Sequence, residues 1–358
     1  MAYKIEARRQ ISTRMLYLTP FIAVAATVAA GFFLFVALGV DPVETLYYFF
    51  ISPLETKNGL AELGVKAAPL IMIAVGLALG YRANIWNIGA EGQLTMGALC
   101  GGAVALAFWE QGGFYILPLM ALAGMAGGAA WAAIPAFLKT RFNVNEILTS
   151  LMLTYVATLF LAVMVFGPLK DPQGYNFPQS RLFSDSALLP IIWEETRLHL
   201  GFVVALAVAV AGWVLLSRSI IGFQIRTLGS APAAARYAGF DRTRLTWFCL
   251  LLTGALAGLA GTFEVAGPVG QLVPNVSPGY GFTAIIVAFL GRLHPLGIIA
   301  SGFLMALSYL GGENAQITVG LPQAVTGVFQ GLLLFFLLAS DFLVRYRVRR
   351  VKLLLEGV

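Results

Sequence analysis

Apolar residues fall in long blocks along this chain, not in the two-residue rhythm of a half-buried strand. Blocks run at 16–38, 63–81, 88–109, 114–137, 147–167, 200–216, 245–266, 280–291, 295–311 and 322–342. Most reach or approach the ~20 residues a helix needs to cross a bilayer. The pattern predicts an all-α, polytopic membrane protein with about ten transmembrane helices, eight being the fallback. The block at 280–291 is short and reads either as a half-helix or as one piece with its successor. Three polar connections stand out: Gly39–Glu62, carrying Asp41, Glu44, Glu55 and Glu62; Pro168–His199, rich in Pro, Asp, Ser and aromatics; and Ser217–Arg244, which is basic.

Charge orients these blocks. With the N-terminus inside, only Lys57, Lys66, Lys170, Arg181 and Arg197 of the 23 basic residues lie outside, a bias that places both termini in the cytoplasm and requires an even number of spans. The expected organisation is a cytoplasmic segment at 1–15, a single transmembrane domain at 16–342 with a cytoplasmic loop at 217–244, and a basic cytoplasmic tail at 343–358. Composition agrees: 59% of residues are hydrophobic and 11% charged, against about 25% charged in soluble domains. Mean hydropathy is +0.84. The net charge of +6 sits at segment ends, so it indicates membrane topology and lipid contact, not nucleic acid. Cys100 and Cys249 lie inside apolar blocks and read as small buried hydrophobes. The first block is longer than the core of a cleaved signal peptide, about 7–15 residues, and reads as a retained helix.

Polar residues inside apolar surroundings mark either a transport path or a helix fastening. The run NIWNIGAEGQL at 84–94 offers Asn84, Asn87, Glu91 and Gln93 around Gly89 and Gly92, which permit a broken helix whose backbone can meet a solute. The alternative is that Asn87 and Glu91 fasten or cap helices, most of all if Arg82 pairs with Glu91. A second group, Phe263, Glu264 and Gln271, with Asn275, precedes and enters a Gly/Pro-rich stretch. Phe263 could stack on a flat base, and packing is its plainer role. His294 beside Arg292 raises proton coupling, although a positive boundary explains both. Asn143 or Asn145 is expected to cap the helix beginning near Glu146. ALAGMAG at 121–127 returns as ALAGLAG at 255–261, either an internal repeat or small residues that let helices approach.

The loop at 217–244 has the makings of a docking element. Pro232 suits a helix start, Gly239 a helix end, and a break at Gly229–Pro232 would leave two short helices presenting Arg226 and Arg236. The other reading is a basic loop lying on anionic headgroups. Gly222, Ile225–Arg226, Gly229, Ala234–Ala235 and Tyr237–Phe240 resemble the cytoplasmic coupling loop of the ABC importer permeases that serve sugars, nucleosides and branched-chain amino acids. The resemblance continues at 84–98 and at 279–297, and covers most of the chain. NIGAEGQ together with FEVAGPVG (263–270) looks most like the nucleoside branch.

That resemblance implies a pore-forming subunit, with Arg226, Gly229, Ala234, Ala235, Arg236, Tyr237 and Gly239 in the ATPase-coupling loop. It implies a second permease, in a heterodimer with a paralogue, and an ATP-binding subunit or fused double ATPase carrying ATP and Mg. It further implies an extracytoplasmic substrate-binding lipoprotein or periplasmic protein, and a bacterial inner membrane. The chain has no G-x-x-x-x-G-K-[ST] phosphate loop, no G-x-S-x-G elbow and no metal-ligand spacing, so no catalytic, cofactor or metal residue is assigned. The expected cargo is a nucleoside or related small polar solute. Ribose-like sugars, and an ion-gradient-driven secondary transporter, are the alternatives.

Overall fold

The computed structural model describes residues 2–7 and 13–351, with side chains from 18 to 340. The basic flank at Arg8 and Arg9 and the end of the basic tail, from Lys352, lie outside the described residues. In chain order the elements are β1 (Ala2–Ala7), α1 (Thr13–Ala37), α2 (Pro42–Phe50), α3 (Lys57–Arg82), α4 (Ala90–Ala107), α5 (Ile116–Phe142) and α6 (Glu146–Phe166). There follow α7 (Gly201–Arg218), α8 (Ile220–Ser230), α9 (Pro232–Tyr237), α10 (Arg242–Glu264), α11 (Tyr280–Leu290), α12 (Pro295–Val319), α13 (Ala324–Arg345) and β2 (Tyr346–Val351). The protein is all-α apart from β1 and β2, which pair antiparallel with Ala2 opposite Val351.

Each of the ten apolar blocks coincides with a helix. Among the described residues, seven helices are long and apolar enough to cross a membrane. The short eighth block is α11, of 11 residues. One expected loop is partly helical: α2 begins at Pro42, and the Asp41 carboxylate accepts from Val43 N (2.8 Å) and Glu44 N (3.1 Å). An Asp cap before a first-turn proline starts a helix wherever the following residues can bury a face. Here Thr45 and Phe49 do so.

The chain packs as two compact units, Met1–Ser52 with Gly311–Val358, and Pro53–Leu310. In the first, α1 lies against α13 and α2. Phe329 stacks on Phe49 (4.7 Å between centroids) and Phe35 (5.4 Å).

The second unit is organised around α10, which packs on α5, α4 and α3. Its contacts are made by missing side chains. A Cβ on Gly258 would lie 2.1 Å from Gly124 O, one on Gly128 2.2 Å from Gly254 O, and one on Gly97 2.1 Å from the Gly258 Cα. The two ALAG stretches therefore meet each other, and main chain touches main chain where α4, α5 and α10 cross, as small residues permit in membrane helices. Thr253 Oγ1 donates to Gly76 O (2.9 Å) and Thr262 Oγ1 to Gly97 O (3.2 Å), tying α10 to α3 and α4. The central apolar stretch of α3 is 89% buried, against 22–28% for those of α5, α6 and α7. Helix α3 is thus an interior helix, whereas the other three turn apolar faces outward.

Candidate functional site

Helix α3 stops at Arg82, and Asn84 turns the chain with a left-handed φ of 56°, a conformation asparagine tolerates better than most residues. The next residues run back without helix to α4. The Asn87 and Gln93 amides pair reciprocally (2.9 and 3.2 Å), Asn87 Oδ1 also accepts from Gly89 N (3.0 Å), and Tyr81 donates its hydroxyl proton to Asn87 O (2.9 Å). Ile88 N donates to Ser150 Oγ on α6 (3.1 Å), and Asn84 Nδ2 donates to Gly229 O on α8 (2.8 Å). The polar run is a joint: its amides hold α3, α4, α6 and the inner loop together.

Glu91 is buried in the first turn of α4. Its Oε2 accepts from Gly281 N at 2.6 Å, and Ser277 and the Gly279 backbone lie close to the same carboxylate. A Cβ on Gly281 would sit 2.2 Å from Glu91 N. Two helix N-termini, each the positive end of a dipole, therefore share one carboxylate. Arg82, the cation weighed as a partner for Glu91, instead donates from Nε to Leu293 O (2.7 Å) just beyond α11. At 1.5 Å per residue, α11 separates the two levels by about 16 Å, roughly half a ~30 Å hydrocarbon core.

Phe263 and Glu264 form the C-terminal end of α10, and Gln271 follows just beyond it. Glu264 closes the helix, buried, and a widened π-type turn (Val265–Val269) carries the chain through Pro268 to Gly270 at φ 73°. Lys66 and Arg197 supply attracting charge to Glu264, and Glu62 and Glu91 repelling charge. Arg197 pairs with Glu62 (3.2 Å) and donates to Pro268 O (2.9 Å). The connection at 168–199 is laced onto this turn: Ser180 N donates to Leu272 O, Phe183 N to Gly270 O and Leu189 N to Ala266 O, at 2.8–2.9 Å. Gln271 Nε2 reaches Gln179 Oε1 at 3.4 Å. His199 accepts at Nδ1 from Gly201 N (3.2 Å), while its Nε2 is buried without a partner. Burial first, and the Arg197 charge second, push His199 down from 6.5 to about 4.

Sequence reasoning missed Arg197, His199, Ser150 and Ser277. Only Ser277 had a local signal, since a serine before Pro-Gly-Tyr suits a helix start. Its Oγ accepts from Gly279 N and Tyr280 N at 3.1 and 3.0 Å.

The inner loop folds as the two short helices expected, α8 capped by Ser219 (Gly222 N to Oγ, 2.9 Å) and α9 opened by Pro232. Gly239 follows α9 with φ 75°. The loop residues divide by role. Ala235 is buried with Leu228, Leu245 and Cys249. Gly229 faces inward, where a Cβ would come 1.8 Å from Arg82 O. Ala234, Arg236 and Tyr237 are exposed, Tyr237 at 96%. Concavities of about 410 and 540 Å³ flank Phe240 and Asp241, the first reaching Gln224 and Arg244, the second Pro232 and Arg236. Near the loop's sequence neighbours, Asn145 caps α6 by accepting from Ile147 N (2.9 Å), and Lys139 pairs with Glu146 (2.5 Å).

An all-α body with a re-entrant polar joint and an exposed two-helix loop is the form of a membrane transport subunit. Residues 59–338 match the family described as the permease component of the branched-chain amino acid transport system, and the chain belongs to that family. It is 40% identical to a glucose ABC transporter permease protein of Haloferax volcanii, over 96% of this chain and 93% of that one. A guanosine ABC transporter permease protein of Bacillus subtilis is 31% identical over 94% and 96%. A nucleoside ABC transporter permease protein of Lactococcus lactis is 26% identical over 94% of each chain.

Proposed function

We propose that the chain is a pore-forming subunit of an ATP-driven importer of the cytoplasmic membrane, carrying nucleosides or a related small polar solute. In this reading ATP and Mg are held by a separate ATP-binding subunit or fused double ATPase, since the sequence has no phosphate loop of its own. A paralogous second permease and an extracytoplasmic binding protein complete the system. One observation carries the reading. The exposed α8–α9 loop is bonded through Gly229 to Asn84, in the joint from which α4 and, through Glu91, α11 depart. A push on the loop is thereby delivered to helices that begin at membrane depth. Asn87, Glu91 and Gln93 act as fasteners in this scheme, while Phe263, Glu264 and Gln271 meet the solute near the outer mouth.

The test is reconstitution in proteoliposomes with and without the ATPase. Uptake is expected only with ATPase and ATP present, and Ala234→Trp is expected to leave assembly and ATP hydrolysis in place while uptake falls at least ten-fold, a loss of about 1.4 kcal/mol of coupling. Uptake by the chain alone down an ion gradient would overturn the proposal. The 40% identity to a protein named for glucose favours a second reading, a sugar cargo. Stimulation of ATPase activity by guanosine or by glucose, with the cognate binding protein present, separates the two.

A further inference from the structure

Two arginines and a histidine from distant stretches of sequence line one small open cavity at the inner-loop end of the Pro53–Leu310 unit. Arg82 ends α3, Arg226 lies on α8, and His294 stands in the turn before α12; Trp213, Leu216 and Ser217 of α7 and Pro295 complete the wall. The cavity measures about 70 Å³, several times the ~10–15 Å³ that a single water needs by a comparable measure.

Among the described residues, no carboxylate pairs with Arg82 or Arg226; the ion pairs of this unit lie elsewhere. Each arginine spends only its Nε, on Leu293 O (2.7 Å) and Gly222 O (3.3 Å) respectively. Both terminal nitrogen pairs remain uncommitted. Arg82 acts on Arg226 and on His294 as a like charge. Burial and that charge hold His294 below its ordinary value. Gathering like charges around a hollow is unfavourable unless something negative enters it. The arrangement also holds backbone in a costly state, for Arg292 and Leu293 stand at φ 58° and 53°, a conformation that L-residues disfavour by roughly 1–2 kcal/mol each.

Two guanidinium forks and an imidazole suit the oxygens of a tetrahedral oxyanion, which arginine binds through paired N–H donors. Trp213 at the rim suits the headgroup level, where indoles collect. We propose that this cavity is a binding site for a phosphate-class oxyanion, bridging the end of α3, the loop helix α8 and the turn before α12. Two sources share that chemistry, the phosphate of an anionic lipid headgroup and free inorganic phosphate.

The full-length chain is reconstituted in phosphatidylcholine nanodiscs, with or without phosphatidylglycerol. Retained phosphatidylglycerol is counted by native mass spectrometry, and radiolabelled inorganic phosphate is titrated in the neutral discs. Arg82→Gln and Arg226→Gln are compared with Arg218→Gln, which removes an exposed inner-end charge that does not line the cavity. Each of the first two is expected to weaken binding roughly five-fold, the worth of one basic residue at an anionic surface, and Arg218→Gln to leave it unchanged. Loss confined to phosphatidylglycerol assigns the lipid headgroup, and a saturable phosphate signal lost in the same variants assigns the free ion. Equal loss in all three variants, or no binding above the neutral-lipid background, overturns the site. Arg82→Gln also breaks the bond to Leu293, so if it fails to fold, Arg226→Gln, whose side chain is exposed, decides.

Discussion

The Glu91 carboxylate accepts from Gly281 N–H, with the Ser277 side chain and the Gly279 backbone close by. Glu91→Gln keeps the shape but turns an amide NH₂ towards a donor. An unmade buried hydrogen bond costs about 1–3 kcal/mol, and the variant is expected to insert normally and melt several degrees lower. Uptake that collapses while the melting point stays put would instead give the carboxylate a direct role in the path. His199 yields a pH dependence. Its folded value near 4 lies below the ordinary 6.5, so the opened chain binds a proton that the packed loop refuses. The packing is complete above about pH 6.5, weakens as pH falls through that window and levels off below about 4, a change on the order of 3 kcal/mol. Once the intrinsic slowing of amide exchange in acid is divided out, protection factors across residues 168–199 are expected to be lower at pH 5 than at pH 7.5, and His199→Gln to remove that difference.

Helices were the most legible level of this protein, because a block of ~20 apolar residues has few other fates. The caps at Asn145 and Ser219 and the break before Pro232 follow from neighbours in sequence. The partners of the polar run do not. Asn84 meets Gly229 across 145 positions, and Glu91 meets Gly281 across 190; no local pattern encodes that pairing. Helix α2 is a different omission, since Asp41–Pro42 announced it and the acidic residues around it read as loop. Glycines can be sorted only once the fold is known. Gly258→Val should cost at least 1–3 kcal/mol, because it drives side-chain atoms into the backbone of α5, and the folded yield should fall accordingly. Gly327→Ala, with nothing within 4 Å of the new methyl, should stay within about 1 kcal/mol of the parent. A thermal melt of both in detergent checks the contrast.

For the whole molecule, family and fold were readable from NIGAEGQ and the 217–244 loop, whereas the division of the candidate site was not. Residues 84–93 and 263–271 looked like two parts of one path. Each has its own ties, the first to α3, α6 and the loop helix α8 and the second to the connection at 168–199, while Glu91 still acts on Glu264 as a like charge. Coupling should therefore be breakable at the contact between the first run and the loop. Asn84→Ala removes the side-chain bond to Gly229 and is expected to leave ATP hydrolysis by the assembled complex intact while lowering uptake several-fold. Unchanged uptake per ATP would mean that the loop transmits through another contact.

The crossing of α4, α5 and α10, where backbones meet at Gly97, Gly124, Gly128, Gly254 and Gly258, bears on how such a body can move. Alternative packings are reached by exchanging rotamers and sliding ridges past grooves, and this crossing has little to exchange beyond the Thr262 side chain bonded to Gly97 O. It serves as a chassis. Any rocking that opens one side and then the other must be hinged around it, in helices that still have side chains to re-seat.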